Sequence, residues 1–273
     1  MSVLLFEGIK VADFSWVGVG PITIKYLADW GATVVHIESH TRLCTLRLAA
    51  PFKDNVPGID RSQFHANYNS SKLGVSINLN KRKGRELAWR FIMWADIVAE
   101  SYTPKAMRGW GLDYASIRDV RPDIVYYSTC QQGQYGPHAH YPGFGNLAAS
   151  LAGAYHISGW PDRAPGPPYG AYTDFINPRF ACATIVAALD YAKRTGKGQY
   201  LDASQFETAL HFLAPALMDY QVNGRIVSRD GNRLPYASPH GAFRCKGDDR
   251  WVAVSVFDDE EWDDPENPFT RHF

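Results

Sequence analysis

The chain has 273 residues, enough for one large domain or for a large and a small one. Its 28 Lys and Arg residues balance its 28 Asp and Glu residues. The overall charge therefore indicates neither a nucleic-acid partner nor an anionic membrane surface. No run approaches the roughly 18 apolar residues of a membrane span, and the N-terminal apolar run is too short for a signal peptide. A cytoplasmic protein without a membrane partner is expected.

The first half of the chain alternates short apolar strands with helical segments. Gly18-Val19-Gly20 forms a turn after the first strand, and Pro21 suits the first turn of the next helix. Helices are predicted at residues 21–30 and 84–95, and strands at residues 11–14, 32–38, 74–79, 96–100 and 123–127. This order predicts an α/β fold with an open, mainly parallel sheet and helices on both faces.

The second half has a different composition. A Pro-rich loop at residues 161–168 precedes an Ala-rich helix, predicted from Pro178 to Lys193 with Gly196 just past its end. A strand at residues 199–203, a helix at 207–220 and a β-hairpin at 242–256 are predicted next. Residues 258–273 are acidic and Pro-interrupted, with no clear periodicity. The predicted domains are a large domain at 1–225, a linker at 226–240 and an incomplete small domain at 241–273.

The glycine turn and Glu38, at the end of the next strand, make half of a dinucleotide-binding motif. The third glycine would fall at Thr23, and Pro21 lacks the backbone N–H useful there. NAD is therefore not an expected cofactor. The turn could bind a phosphate or pantetheine through its backbone amides, or it could be a simple tight turn.

Metal binding is not expected either. His138 and His140 could form half of a site, but no carboxylate or cysteine lies at ligand spacing. The four cysteines are far apart and lack CxxC spacing, so neither a zinc site nor a disulfide framework is indicated.

Asp174 lies just ahead of the predicted Ala-rich helix. A lone aspartate there is usually an N-cap, but Asn177, directly before Pro178, could cap the helix equally well. Asp174 would then be free, and the nearby helix N-terminus would favour its ionised form. An ionised carboxylate can attack an activated acyl group and form a covalent intermediate.

Several segments, in the right order, resemble the class III CoA-transferases, also called the CaiB/BaiF family. In that family an aspartate precedes a helix whose end is similar to Ala187-Ala188-Leu189 and Arg194-Thr195-Gly196-Lys197-Gly198-Gln199 here. Asp202-Ala203-Ser204 also matches the family motif. Other matching segments are residues 8–14, 20–21, 27–38, 69–79, 95–104, 110–112, 121–122, 135–137, 239–241 and 251–256. The resemblance covers nearly all of residues 5–257.

The resemblance implies a Rossmann-like large domain, a small domain, and an interlocked homodimer or a heteromer with a related subunit. It implies an acyl-CoA:carboxylate CoA-transferase that uses coenzyme A as substrate. In this family an aspartate attacks the acyl-CoA thioester, giving a mixed anhydride and then an aspartyl-CoA thioester. Asp174 occupies the position of that nucleophile.

The resemblance also implies contacts to coenzyme A. They correspond here to the backbone of Val17, Gly18 and Val19 and to the side chains of Lys72, Ser101 and Tyr102. Ser39 replaces the basic residue that usually follows Glu38. The nucleotide phosphates would then be bound by His40 or Arg42, or by Arg108 nearby.

Two departures from the family pattern leave alternatives open. The related α-methylacyl-CoA racemases use a histidine where Phe144 stands here, and phenylalanine cannot exchange a proton, so racemisation is the less favoured activity. Family members are also longer, so the chain is expected to be truncated at its C-terminus or to be one subunit of a split enzyme. A non-catalytic CoA-binding or structural subunit is the alternative function.

Overall fold

The computed structural model describes residues 4–168 and 170–263. Its strands are β1 (Lys10–Asp13), β2 (Thr33–Glu38), β3 (Leu73–Ser76), β4 (Ile97–Glu100), β5 (Val125–Cys130), β6 (Gln199–Ser204), β7 (His240–Arg244) and β8 (Trp251–Ser255). Its α-helices are α1 (Val19–Asp29), α2 (Gln63–Tyr68), α3 (Arg82–Trp94), α4 (Ala106–Trp110), α5 (Tyr114–Arg118), α6 (Gly145–Leu151), α7 (Tyr172–Thr195), α8 (Gln205–Phe212), α9 (Ala214–Asn223) and α10 (Asp259–Asp263).

Six strands form one open sheet in the order β3-β2-β1-β4-β5-β6. Every pairing in this sheet is parallel, whereas β7 and β8 pair in antiparallel fashion as a hairpin. Parallel neighbours require crossover connections, and helices such as α1 and α3 supply them. The predicted α/β fold with an open parallel sheet is confirmed.

An apolar layer covers each face of this sheet. Because successive side chains of a strand point to opposite faces, Val11 packs into one layer and Ala12 into the other. The first layer contains side chains of α1 and α7, such as Ile24 and Ile185, and the second contains α3 side chains such as Ile92. Burial on both faces explains why the strands are nearly continuous apolar runs in the sequence.

The long helix α7 begins earlier than the sequence indicates. It starts at Tyr172, so Pro178 lies inside it and cannot donate the N–H that would bond to the Asp174 carbonyl. The predicted N-cap, Asn177, is wrong, because Asn177 is buried within the helix and its Nδ2 donates to Thr208 Oγ1 at 3.0 Å. Asp174 instead occupies the first turn of α7.

The single helix predicted at residues 207–220 is two helices. Helix α8 ends at Phe212 and α9 begins at Ala214. Pro215 fits the first turn of α9, where its missing N–H has no helical partner to lose. Residues 259–263, predicted to lack periodicity, form the short helix α10.

The described residues fall into two compact units. Residues 4–152 and 170–214 form the first unit, which contains the six-stranded sheet, and residues 153–168 and 215–263 form the second, which contains the β7–β8 hairpin. The predicted domain boundaries at residues 225 and 240 stay predictions, and residues 264–273 of the predicted small domain lie outside the described residues. Within the described part of the chain, no helix combines the length and apolarity needed to cross a bilayer.

A buried ion pair lies behind the glycine turn. Lys72 Nζ donates to Asp13 Oδ2 at 2.9 Å, to the Pro21 carbonyl at 3.1 Å and to Asn69 Oδ1 at 3.0 Å. Burial alone would raise the pKa of Asp13, but Lys72 and His36 outweigh it and hold that pKa well below its usual range. The pair thus joins the end of β1, the start of α1 and the segment before β3.

Replacing Lys72 by methionine should destabilise the fold strongly. The Asp13 carboxylate would remain buried without its cation, and breaking such a pair costs about 3–5 kcal/mol. Lys25→Met is the control, because the Lys25–Asp29 pair is partly exposed on the surface of α1 and such pairs contribute about 1 kcal/mol or less. Denaturant unfolding measures both, and equal losses would contradict a special role for the Lys72–Asp13 pair.

Candidate functional site

A cavity of about 330 Å³ lies at the carboxyl ends of β1, β4 and β5. The cavity is lined by residues 16–19, which follow β1, and by residues 101–103, which follow β4. Thr129 and Cys130 at the end of β5, and Gln131 directly after it, also line the cavity. The sheet changes direction between β1 and β4, since β2 and β3 lie on one side and β5 and β6 on the other. Open α/β sheets bind their ligands at such a switch point. The glycine turn predicted after the first strand follows β1, and its Gly18 and Val19 line this cavity.

The turn after β1 is held in an unusual backbone conformation. Val17 has φ 63°, a left-handed value that β-branched residues rarely adopt. Its N–H donates to Cys44 Sγ at 3.2 Å, and Gly18 then begins α1 as its N-cap. Strain of this kind tends to persist where surrounding contacts impose it, often at functional sites. Here it brings Gly18 next to Asp174.

Two glycines enclose the Asp174 carboxylate. A Cβ atom on Gly18 would lie 3.2 Å from Asp174 Oδ2, and one on Gly145 would lie only 2.7 Å from Asp174 Cγ. A side chain at position 145 would therefore displace the carboxylate. Gly145 is the first residue of α6, so three helix starts, those of α1, α6 and α7, meet at this point.

Hydrogen bonds orient the carboxylate. The Gly145 N–H and the Gln205 side-chain amide both donate to Asp174. The hydroxyl of Thr173 lies 2.7 Å from Gln205 Oε1 and 2.8 Å from the Gly145 carbonyl oxygen. Since Thr173 donates to the Gln205 oxygen, the Gln205 NH₂ group is left to face Asp174.

Burial raises the pKa of Asp174 to about 6, although the hydrogen bonds from Gln205 and Gly145 oppose this rise. The expectation that the helix N-terminus would favour the ionised form is therefore wrong in its net direction, because desolvation outweighs it. At pH 7 the carboxylate is still mainly ionised. It is also more basic than an ordinary aspartate, which makes it a stronger nucleophile.

Six of the predicted coenzyme A contacts line this cavity: Val17, Gly18, Val19, Arg42, Ser101 and Tyr102. The Arg42 guanidinium lies 5.1 Å from the ring centroid of Trp16, a cation–π distance. The Ser101 hydroxyl accepts from the Trp16 N–H and donates to the Trp16 carbonyl, each at 2.9 Å. Ser101 thus joins the segment after β4 to the segment after β1.

The structure does not bring three other predicted contacts to the cavity. Lys72 is buried, with 1% of its side chain exposed, and its donors are used by Asp13, Pro21 and Asn69. His40 is exposed and bonds to Ser76, and Arg108 lines a different cavity beside α4. Lys72 could not be placed from the sequence because two of its partners, Asp13 and Pro21, are distant in the chain.

A second, smaller cavity of about 110 Å³ adjoins the first. It lies beyond the carboxyl end of β2, and both cavities are lined by Trp16, Arg42, Tyr102 and Trp110. Glu38 lines it too, but its carboxylate accepts from Arg47 at 2.7–3.0 Å and is not free to bind a ribose. Together the two cavities offer space for an elongated molecule.

Sequence reasoning missed Thr173, Gln205 and the role of Gly145. Gln205 follows a segment that carries the family resemblance, yet nothing in its neighbours indicates a contact with a residue 31 positions earlier. Among the described residues lining the larger cavity, Asp174 is the single carboxylate and there is no histidine, while Phe144 lies at its edge, 64% exposed. In the described part of the chain no group of three or more His, Cys, Asp or Glu side chains could hold a metal ion.

Comparison with known proteins gives consistent matches. The family model for CoA-transferase family III matches residues 6–266. An acetyl-CoA:oxalate CoA-transferase from Acetobacter aceti is 31% identical over 88% of this chain and 61% of its own length. A succinate–glutarate CoA-transferase from Agrobacterium fabrum is 31% identical over 86% of this chain and 59% of its own length.

The fold matches as well. The crystal structure of a CaiB/BaiF family protein from Brucella suis superposes with a TM-score of 0.85 at 28% sequence identity, covering 93% of this chain and 66% of that one. The chain thus spans about three fifths of the length of the curated relatives it matches.

Replacing Asp174 by asparagine should stabilise the protein at high pH. Because the pKa of Asp174 is raised from 3.8 to about 6, its contribution to stability is complete below about pH 4 and is lost as the pH rises through 6. Asp174→Asn avoids ionisation, so its free energy of unfolding at pH 8 should exceed that of the wild type by roughly 1–3 kcal/mol.

Thermal or denaturant unfolding from pH 4 to pH 8 measures this difference, which should fade toward pH 4. Asp190→Asn, on the exposed face of the same helix, is the control and should show no comparable gain. A pH-independent effect of Asp174→Asn would contradict a buried, titrating carboxylate.

Proposed function

Because the chain belongs to CoA-transferase family III, we propose that it transfers coenzyme A between an acyl-CoA thioester and a carboxylic acid. Asp174 is the proposed nucleophile. The observation that carries this proposal is the position of Asp174, the single carboxylate among the described residues lining the larger cavity. Its pKa, raised by burial to about 6, is suited to a nucleophile that must be ionised and reactive near neutral pH.

The proposed reaction conserves atoms and charge in four steps. The Asp174 carboxylate attacks the thioester carbonyl, the C–S bond breaks, and CoA leaves as a thiolate from a mixed anhydride. The thiolate attacks the Asp174 carbonyl of that anhydride, releasing the donor acid as a carboxylate and leaving an aspartyl-CoA thioester. The acceptor carboxylate attacks this thioester, and the thiolate expelled then attacks the acceptor carbonyl, giving the new acyl-CoA and free Asp174.

The two adjoining cavities support coenzyme A as the ligand. The acyl end would lie beside Asp174 in the larger cavity, and the nucleotide end toward the smaller one beyond β2. Arg42, which lines both, is the proposed contact for the phosphates, since a guanidinium pairs well with phosphate oxygens. The backbone of Val17 to Val19 and the side chains of Ser101 and Tyr102 would line the path between them.

The acceptor is proposed to be a small carboxylic acid. The relatives from Acetobacter aceti and Agrobacterium fabrum are named for oxalate, succinate and glutarate. Racemisation finds less support, because the cavity lining among the described residues provides no histidine to exchange a proton with Asp174.

Substitution of Asp174 should separate folding from transfer. Asp174→Asn keeps the shape but is a poor nucleophile, so transfer should be lost, and Asp174→Glu displaces the carboxylate and should reduce transfer on the order of 100-fold. For the wild type, kcat/KM should rise with pH through about 6 and then level off, following the pKa of Asp174. Exposed Asp190→Asn is the control and should keep full activity.

Hydroxylamine added during turnover should convert the acylated Asp174 to a hydroxamate, which peptide mass spectrometry detects. Transfer that survives Asp174→Asn would place the nucleophile elsewhere. A chain that binds acyl-CoA but shows no exchange with any of a panel of acids, alone or mixed with related subunits, would contradict the proposed activity.

We further propose that the chain assembles with a second copy or with a related subunit. Helices α6, α7 and α8 pack on one another, and each exposes large apolar side chains, including Leu147, Leu151, Phe180 and Phe212. Soluble monomers rarely leave extensive apolar patches exposed to water.

Sedimentation of the chain at micromolar concentration should therefore show a dimer or a larger species. Leu151→Glu, at a site 56% exposed on α6, should weaken the association. Val120→Glu, at a site 55% exposed away from these helices, should leave it unchanged. A monodisperse monomer of the wild type would contradict the proposal.

A further inference from the structure

Gln131 is a buried amide in the larger cavity with nothing bonded to it. It directly follows β5 and lines the cavity, and only 5% of its surface is exposed. Neither its Nε2 nor its Oε1 has a hydrogen-bond partner within residues 4–168 and 170–263. Buried polar side chains are nearly always paired, so an amide with both atoms unpaired requires a reason.

Loose packing is not that reason, because the main chain at this position is firmly held. The Gln131 carbonyl accepts from the Phe206 N–H at 3.0 Å and from Ser204 Oγ at 3.4 Å. These contacts tie Gln131 to the start of α8, the helix whose first residue, Gln205, bonds to Asp174. Gln131 and Asp174 are thus both held by the same turn of the chain.

A second segment makes room for both side chains. A Cβ atom on Gly143 would lie 1.7 Å from Gln131 Oε1, just as one on Gly145 would collide with Asp174. Glycine is therefore required at position 143 as long as the Gln131 side chain stays where it is. Residues 141–144, which include Gly143, are exposed to solvent.

The two glutamines of the cavity differ in whether their side-chain donor and acceptor are already hydrogen-bonded. Both polar groups of the Gln205 side chain are already bonded, because its NH₂ group donates to Asp174 and its oxygen accepts from the Thr173 hydroxyl. Gln131 has a free donor and a free acceptor, and it carries no charge. Such a group can bind a hydroxyl, a carbonyl or a carboxylate oxygen, and it gains nothing from an alkyl group.

Building on the proposed CoA transfer, we propose that the Gln131 amide selects acyl groups or acceptor acids that carry a second oxygen function besides the reacting carboxyl. A substrate with such an oxygen pairs the amide, whereas a plain alkyl chain leaves it buried and unpaired. A site built to bond a polar substituent rejects analogues that lack it. Gln131 is a specificity residue in this proposal and takes no part in the bond changes at Asp174.

The test compares ligands matched in length. Butanoyl-CoA, 3-hydroxybutanoyl-CoA and succinyl-CoA probe the donor, and butanoate, 3-hydroxybutanoate and succinate, each added with CoA, probe the acceptor. Titration calorimetry on the full chain should show the oxygen-bearing member of one series binding about 10–100-fold tighter than its alkyl analogue. The donor and acceptor series show which of the two Gln131 contacts.

Gln131→Leu should reduce that preference to within about threefold while leaving butanoyl-CoA binding nearly unchanged. Gln132→Leu is the matched control, because Gln132 is the neighbouring glutamine and does not line the cavity. It should keep the wild-type preference. If Gln131→Leu does not fold, Gln131→Met, which is closer in shape, serves for the same comparison.

The outcomes separate this inference from the proposed activity. A preference lost in Gln131→Leu without any hydroxamate on Asp174 would support Gln131 and contradict the transfer reaction. Hydroxamate formation together with equal binding of the matched ligands, or a preference that Gln131→Leu retains, would overturn the role of Gln131 alone. If no acyl-CoA and no acid binds, both proposals fail.

Discussion

The Asp174 carboxylate is enclosed at a place where burial favours its neutral form. Asp174 lies between Gly18 and Gly145, and neither position has room for a larger residue without moving it. Several otherwise unrelated features build this enclosure, among them the left-handed backbone of Val17 and the Thr173–Gln205 contact. The hydrogen bonds limit the rise in the pKa of Asp174 to about 6, low enough for the carboxylate to remain ionised at neutral pH.

Two aspartates near the same end of the sheet show how neighbouring groups determine the pKa of a buried carboxylate. Asp13 has an ammonium group at 2.9 Å, so its pKa is held well below the usual range and its charge stabilises the fold. Asp174 has only neutral donors, so its pKa rises instead. Carboxylates whose environments drive their pKa values apart commonly have different roles in a protein.

The sequence predicted much of the fold, because strands buried on both faces are apolar runs that local pattern can identify. The start of α7 was misplaced since proline is common at the first helical position, and nothing local shows that Pro178 lies within a longer helix. The candidate nucleophile came from a family resemblance. The residues around Asp174 could not be predicted in that way, because Gly18, Gly145 and Gln205 approach it only through the packing of distant segments. Lys72 was predicted to contact coenzyme A, but it forms a buried ion pair with Asp13 that stabilises the fold.

The first unit is discontinuous in sequence, and this has a consequence for the ribosome-bound chain. Ile24 and Leu27 of α1 emerge early, but their partners on α7, including Ala181 and Ile185, emerge only after the excursion of residues 153–168. At about 5–20 residues per second, the roughly 150 residues between them take on the order of 10 s to synthesise. One apolar face of the nascent sheet therefore stays uncovered for that time, so chaperone dependence should be greatest for chains halted before α7.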